Sequence, residues 1–290
     1  MRLNTLAALV ILLAAGVSVH AQLRGAARAP ARPARDARQQ ALYDWANHMG
    51  MLRGVNEVDA IATLELKGTG TIDVNGQPCT TTDYHVSVNY QQGGQRVTFT
   101  GKKSDGSACK GAELVRDKWA WDEDGPIGAG LVPGRGTAKP MPAALNERLV
   151  RLWSSPQGAV KAAVKGGDAT RIAMEGGKMT VTFPVPGTTG ITAKATLTNG
   201  AANGLCTSYC AERVDVQGAT PMEFLYSNYA DYNPKENQLD AFYAGHIVER
   251  RGGMVVRDLT VKETQTANLY VVIPVPASIS NAAPRQAAAQ

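Results

Sequence analysis

The sequence predicts a mainly β (α+β) protein: a curved antiparallel sheet, or open half-barrel, covered by a few short helices. Three observations predict it. Glycine and proline are frequent, at 30 and 15 residues, while aromatics are only 6%. Apolar and polar residues alternate in many short runs separated by turn signals. Helical spacing is confined to three short segments, whereas a helical bundle would need it throughout. With 290 residues, 44% hydrophobic and 19% charged, the chain can bury a sizeable core, which excludes disorder throughout.

The first segment is a targeting signal. Met1-Arg2 is a short positive start, Leu6 to Val17 is apolar and uncharged, and Val19-His20-Ala21 supplies the small residues read at cleavage. Residues 1–21 therefore read as a cleavable secretory signal peptide, too short and wrongly flanked to anchor in a membrane. No later stretch is long and apolar enough to span, so no transmembrane span is expected. The short signal and the absence of an Asn-x-Ser/Thr sequon point to a Gram-negative periplasm.

Residues 22–40 form an Ala/Arg/Pro-rich linker. Arg24, Arg28, Arg32, Arg35 and Arg38 against Asp36 account for most of the formal charge of +5, so the folded body is close to neutral. A nucleic-acid reader carries its basic face on the fold itself, so no nucleic-acid partner is expected. The linker ends in a capping box, Asp36 with Gln39. From there Leu42, Trp45, Met49 and Leu52 recur at helical spacing until Gly54.

Strand alternation follows. Val58, Ala60, Ala62, Leu64 and Leu66 oppose Glu57, Asp59, Thr63, Glu65 and Lys67; Tyr84, Val86, Val88 and Tyr90 repeat the pattern. Gln91-Gln92-Gly93-Gly94 is a hairpin turn into Arg96 to Thr100. Leu114-Val115 and Trp119 to Asp122 continue the meander.

The Gly/Pro-rich segment from Gly125 to Pro142 breaks the series, and a loop of that length is functional or mobile. Pro142 opens a helix that places Leu145, Leu149, Leu152 and Trp153 on one face. Ser155-Pro156 reads as cap and first residue of a second helix, which Gly166-Gly167 ends. Strands resume at Arg171 to Met174, Met179 to Phe183, Ile191 to Leu197, Glu212 to Val216, Met222 to Tyr226, Ala241 to Arg250, Met254 to Thr264 and Asn268 to Ile273. Residues 41–276 thus form a single β-rich domain, with a disordered tail at 277–290. About ten strands must curl or split to cover their apolar face, and the helices can cover the concave side.

The cysteines form an even set in an oxidising compartment, so disulfides are the default. Cys79 and Cys109 flank β stretches, and Cys206 and Cys210 can close a small loop, so the preferred pairs are Cys79 with Cys109 and Cys206 with Cys210. Neither the cysteine spacing nor the scattered His48, His85 and His246 suggests a metal site. No cofactor is expected. The acidic run Asp122-Glu123-Asp124 reads as a solvated strand end, and no phosphate loop or nucleophile elbow occurs. The protein is therefore not read as an enzyme.

The order of signal peptide, amphipathic helix, meander, two short helices and second meander resembles the periplasmic lipoprotein-carrier and lipoprotein-sorting superfamily. Local echoes are Trp119-Ala-Trp-Asp-Glu, Leu152-Trp153-Ser-Ser-Pro156-Gln-Gly, Tyr229-Ala-Asp-Tyr232, Gly253-Met-Val-Val-Arg-Asp-Leu-Thr-Val261 and Pro274-Val-Pro276. The resemblance implies an open β half-barrel with helices plugging its mouth. The expected function is a secreted, monomeric binding module holding an apolar or lipid-like ligand, or a partner's lipidated segment, on its concave face. Trp45, Leu52, Leu149 and Trp153 are the candidate ligand-binding residues. A periplasmic or outer-membrane protein partner is also expected. The alternatives are a non-catalytic interaction or assembly protein using the Gly125 to Pro142 loop and, third, a secreted hydrolase with an unrecognised site.

Overall fold

The computed structural model of the chain describes residues 35–53, 58–59, 61–125, 128–132, 136–218, 220–231, 241–266 and 271–282. The segments expected to be signal peptide and most of the linker, and the end of the tail, lie outside these residues.

The chain opens with helix α1 (Ala37–His48), started by the expected capping box: Asp36 accepts from the Gln39 amide at 2.7 Å, and the Gln39 side chain accepts from the Asp36 amide at 3.1 Å. Its apolar stripe buries Leu42, Trp45 and Ala46. A two-stranded ribbon, β1 (Leu52–Arg53) with β2 (Val58–Asp59), leads into the sheet. The first meander is β3 (Thr63–Val74), β4 (Gln77–Asn89), β5 (Gly94–Lys103), β6 (Ala108–Arg116), β7 (Trp119–Asp124) and the short edge strand β8 (Thr137–Pro140). Helices α2 (Leu145–Ser154) and α3 (Pro156–Lys165) follow. The second meander is β9 (Arg171–Glu175), β10 (Lys178–Pro184), β11 (Thr192–Asn203), β12 (Cys206–Gln217), β13 (Met222–Asp231), β14 (Phe242–Arg251) and β15 (Met254–Thr266), and a single turn of helix, α4 (Ala277–Ser280), ends the described chain.

All thirteen strands from β3 to β15 form one open antiparallel sheet in the order β8-β7-β6-β5-β4-β3-β15-β14-β13-β12-β11-β10-β9. The two meanders are joined where β15 returns to pair with β3, Leu259 opposite Gly70. Gly70 is needed there: its φ is +159°, and a Cβ would come within 2.0 Å of the Asp258 carbonyl oxygen.

The sheet is curled, and two distances prove it. Cys79 on β4 and Cys109 on β6 have β5 between them, yet their Cα atoms are 6.2 Å apart; flat strands at ~4.8 Å spacing would set them ~10 Å apart. Arg257 on β15 and Glu113 on β6 are separated by three intervening strands, ~19 Å in a flat sheet. Their side chains nevertheless meet at 2.9 Å.

The inner face carries the main core, where Tyr84, Val86, Val88, Phe224, Tyr226 and Leu259 are buried as strand alternation requires. Helix α1 packs on β12 and α3, α2 on β5 to β7, and α3 on β10. A smaller apolar cluster sits on the opposite face, where Leu114 and Trp121 cover Ile273 and Ile279.

Several expectations need correction. Of the strand expected over 268–273, residues 268–270 lie outside the described residues and 271–273 form no strand; the tail expected to be disordered from 277 is ordered to 282, because Ile279 is anchored in that second cluster. Cys206 to Cys210 is no separate loop: both cysteines lie on β12, where Tyr209 takes a positive φ of 57° and the pairing with β11 shifts register. Ser155 precedes α3 without capping it; its hydroxyl donates to the Leu152 carbonyl at 2.7 Å. The acidic run is not simply solvated either. Asp122 pairs with Arg148, and buried Glu123 accepts from the Trp121 indole at 3.1 Å and the Gly128 amide at 3.0 Å.

Candidate functional site

Beneath α2 the inner face holds a cluster of buried charges. Arg151 clasps Glu249 of β14 with two bonds, Nε at 2.9 Å and Nη2 at 3.0 Å, and reaches Glu147 one helical turn earlier at 2.8 Å. Arg257 of β15 donates to the Tyr84 hydroxyl at 2.8 Å and to Glu113 at 2.9 Å, and its Nε lies 3.2 Å from Glu249. Two guanidiniums therefore share two inner carboxylates, with Glu147 and Arg251 closing the rim. Arg148 anchors the same helix to the sheet, donating to the carbonyls of Leu114 and Trp121.

Burial sets the electrostatics. It would raise the pKa of Glu113, but the guanidiniums of Arg257, Arg151 and Arg148 outweigh it and hold the carboxyl at about 2. Glu249, only 1% exposed, is lowered for the same reason, burial being overcome by Arg151 and Arg257. Burial raises the Tyr84 phenol against the opposing charge of Arg257. All four charges stay ionised at neutral pH, so the cluster is an electrostatic clamp and holds no proton to exchange.

The cluster forms one wall of a cavity of about 50 Å³, whose other lining is mostly apolar and includes Leu66, Val86, Phe224, Tyr226 and Leu259. None of the four expected ligand-binding residues lines it. Trp45 is fully buried under α1, and Leu52 is half-buried on β1. Leu149 and Trp153, both almost fully buried, come together at a different, open pocket on the margin of α2.

The charged cluster escaped sequence reasoning because its members come from four separate elements. A signal was present: Glu249 and Arg257 fall in phase with the apolar positions Ile247 and Leu259 of their strands. Charges on an apolar face must be paired.

One of the scattered histidines, His246, stands in a suggestive row. On the outer face Ser227, His246 and Asp258 lie on adjacent strands, with Ser227 Oγ 3.3 Å from His246 Nδ1 and His246 Nε2 2.8 Å from Asp258. A nucleophile needs a substrate pocket and aimed oxyanion donors. The row lies on open sheet surface, with Asp258 more than half exposed, and reads as a cross-strand polar ladder. Among the described residues no group of three or more His, Cys, Asp or Glu could hold a metal ion.

Both expected disulfides are present, as suits an extracellular or periplasmic protein. No helix among the described residues is long and apolar enough to cross a membrane. No known family model matches the chain, and no match to a curated protein is found.

Proposed function

We propose that the protein is a secreted, non-catalytic binding module, a half-barrel of the lipoprotein-carrier type that takes up the apolar part of an amphiphile between its concave face and the helices. The signal-like residues 1–21 would direct it to the periplasm. The cavity under α2 carries this reading. One wall is apolar and the other is the Arg151, Glu249 and Arg257 cluster, so an amphiphile finds a place for each of its ends. The covering helices also hide polar atoms without partners: Trp45 Nε1 on α1, Ser154 Oγ on α2 and Gln157 Oε1 on α3. Groups of this kind cost about 1–3 kcal/mol each while unpaired, which favours an alternative arrangement of the cover.

At about 50 Å³ the cavity has room for a few waters, at ~10–15 Å³ each. Uptake of a lipid chain therefore requires α2 and α3 to swing aside. The same small volume favours a second reading, in which the concave face is simply a filled core and the protein acts as an interaction or assembly factor through residues 125–142. Organic extraction of the purified protein followed by mass spectrometry separates them. A carrier releases a stoichiometric amphiphile; a filled scaffold releases none.

A further inference from the structure

The pocket on the margin of α2 brings apolar side chains together with two cations that have no carboxylate partner among the described residues. It measures about 300 Å³ and shares no side chain with the buried cavity. Its floor is Leu149 and Trp153, with the Tyr90 ring 6.1 Å from that of Trp153. Two turns press against this floor at glycines with positive φ. A Cβ on Gly187 would lie 3.1 Å from Leu149, and one on Gly93 would lie 3.7 Å from Trp153.

Two cations stand on the rim. Lys165 lies 5.7 Å over the Trp153 ring. Arg116 uses Nη1 to donate to the Ile273 carbonyl at 2.9 Å, which fixes the guanidinium at the pocket. Among the described residues neither has a carboxylate within 4.0 Å, whereas Arg148, Arg151, Arg213, Arg250 and Arg257 are all ion-paired. Asp117 also lines the rim, so the pocket carries one positive charge in excess.

We infer that this pocket binds a small organic monocarboxylate with a flat or short apolar body. The body rests against the exposed edge of Trp153 and Pro186, over covered Leu149, and the carboxylate meets the fork of Arg116 and the ammonium of Lys165. Asp117 disfavours a second negative charge on the ligand. At about 300 Å³ the pocket has about six times the volume of the cavity under α2 and takes a small organic acid. This inference goes beyond the amphiphile reading and depends on no part of it.

Calorimetric titration of the full exported chain tests it, with phenylacetate as probe, 2-phenylethanol as its neutral analogue and phenyl phosphate as the dianion. Phenylacetate is expected to bind at millimolar concentration or below, with both analogues at least about tenfold weaker. Lys165→Gln and Arg116→Gln should each weaken phenylacetate by about three- to tenfold or more, with Arg116→Lys restoring part of the loss. If Arg116→Gln loosens the fold, seen as an early melt, the exposed Lys165→Gln decides alone. Absence of phenylacetate binding, equal affinity for 2-phenylethanol, tighter phenyl phosphate, or unchanged affinity in a well-folded variant would each overturn the proposal.

Discussion

Consecutive residues of β14, Glu249 and Arg250, point to opposite faces of the same sheet and join two arginine-carboxylate clusters of similar geometry. Outside, Arg213 contacts Asp215 at 2.7 Å and Glu223 at 2.9 Å, and Arg250 contacts Glu223 at 2.8 Å. Inside, Arg151 and Arg257 hold Glu249 and Glu113 at comparable distances. The outer arginines are 49% and 41% exposed, the inner ones 9% and 7%. Distance alone therefore says little about energy. The outer row joins strands already hydrogen-bonded to each other, and water screens it. The inner cluster ties α2 to strands that are far apart in the sheet, and removing one member leaves its partners short of a counter-charge on a buried face.

The widest separation should come from matched substitutions. Arg151→Met is expected to destabilise by about 3–5 kcal/mol, because Glu249 and Glu113 are then left to share Arg257 alone on the inner face. Arg213→Met should cost less than about 1 kcal/mol. Equal losses in urea melts of the two variants would erase the distinction between the clusters.

The disulfide across β5 is the other candidate for holding the curl. Cys79→Ser relaxes a closed loop of about 31 residues and should cost about 4 kcal/mol; Cys206→Ser, closing about five residues, should cost about 2 kcal/mol. Non-reducing peptide mapping should show no free thiol in exported protein. If Cys79→Ser melts no earlier than the parent, the ion cluster alone maintains the curl.

Acid separates the faces again. Glu113 has its pKa depressed to about 2, so the stability it contributes is fully present above its unfolded value and is lost as pH falls from there through about 2. A loss of about 2–3 kcal/mol is expected over that window. Chemical melts across it, compared with Glu113→Gln, check the sign: the variant should lose the share of the acid dependence that Glu113 supplies and keep the share from Glu249, whose carboxyl is also held low. The smallest effect is expected at the outer polar ladder. Asp258→Asn should change stability by less than about 1 kcal/mol, and Ser227 should resist a fluorophosphonate probe.

Much of the fold was legible because its signals are local. The Asp36 capping box started α1 where expected, alternation at Tyr84, Val86 and Val88 marked the buried face, and both cysteine pairings followed from compartment and spacing. Leu149 and Trp153 were expected at a binding surface, and they do share a pocket, but its cations Arg116 and Lys165 come from β6 and the end of α3. No periodicity links such positions. The inner cluster was hidden for the same reason, since Glu113, Arg151, Glu249 and Arg257 meet only because the sheet curls. The order of the last residues also depended on a partner surface: Ile279 is the single large apolar residue in an Ala/Ser/Gln-rich tail, and the Leu114 and Trp121 patch makes it an anchor.

If α2 and α3 form a cover that opens over an amphiphile site, amide hydrogen exchange will register the opening. Amides of residues 145–165 should exchange through an opening of lower free energy than those of the central strands β3, β4 and β15. A single-chain lysophospholipid, added below its micelle concentration, should then slow that exchange selectively. Exchange of 145–165 only by global unfolding, indifferent to the lipid, would contradict the account and leave the concave face as a filled core.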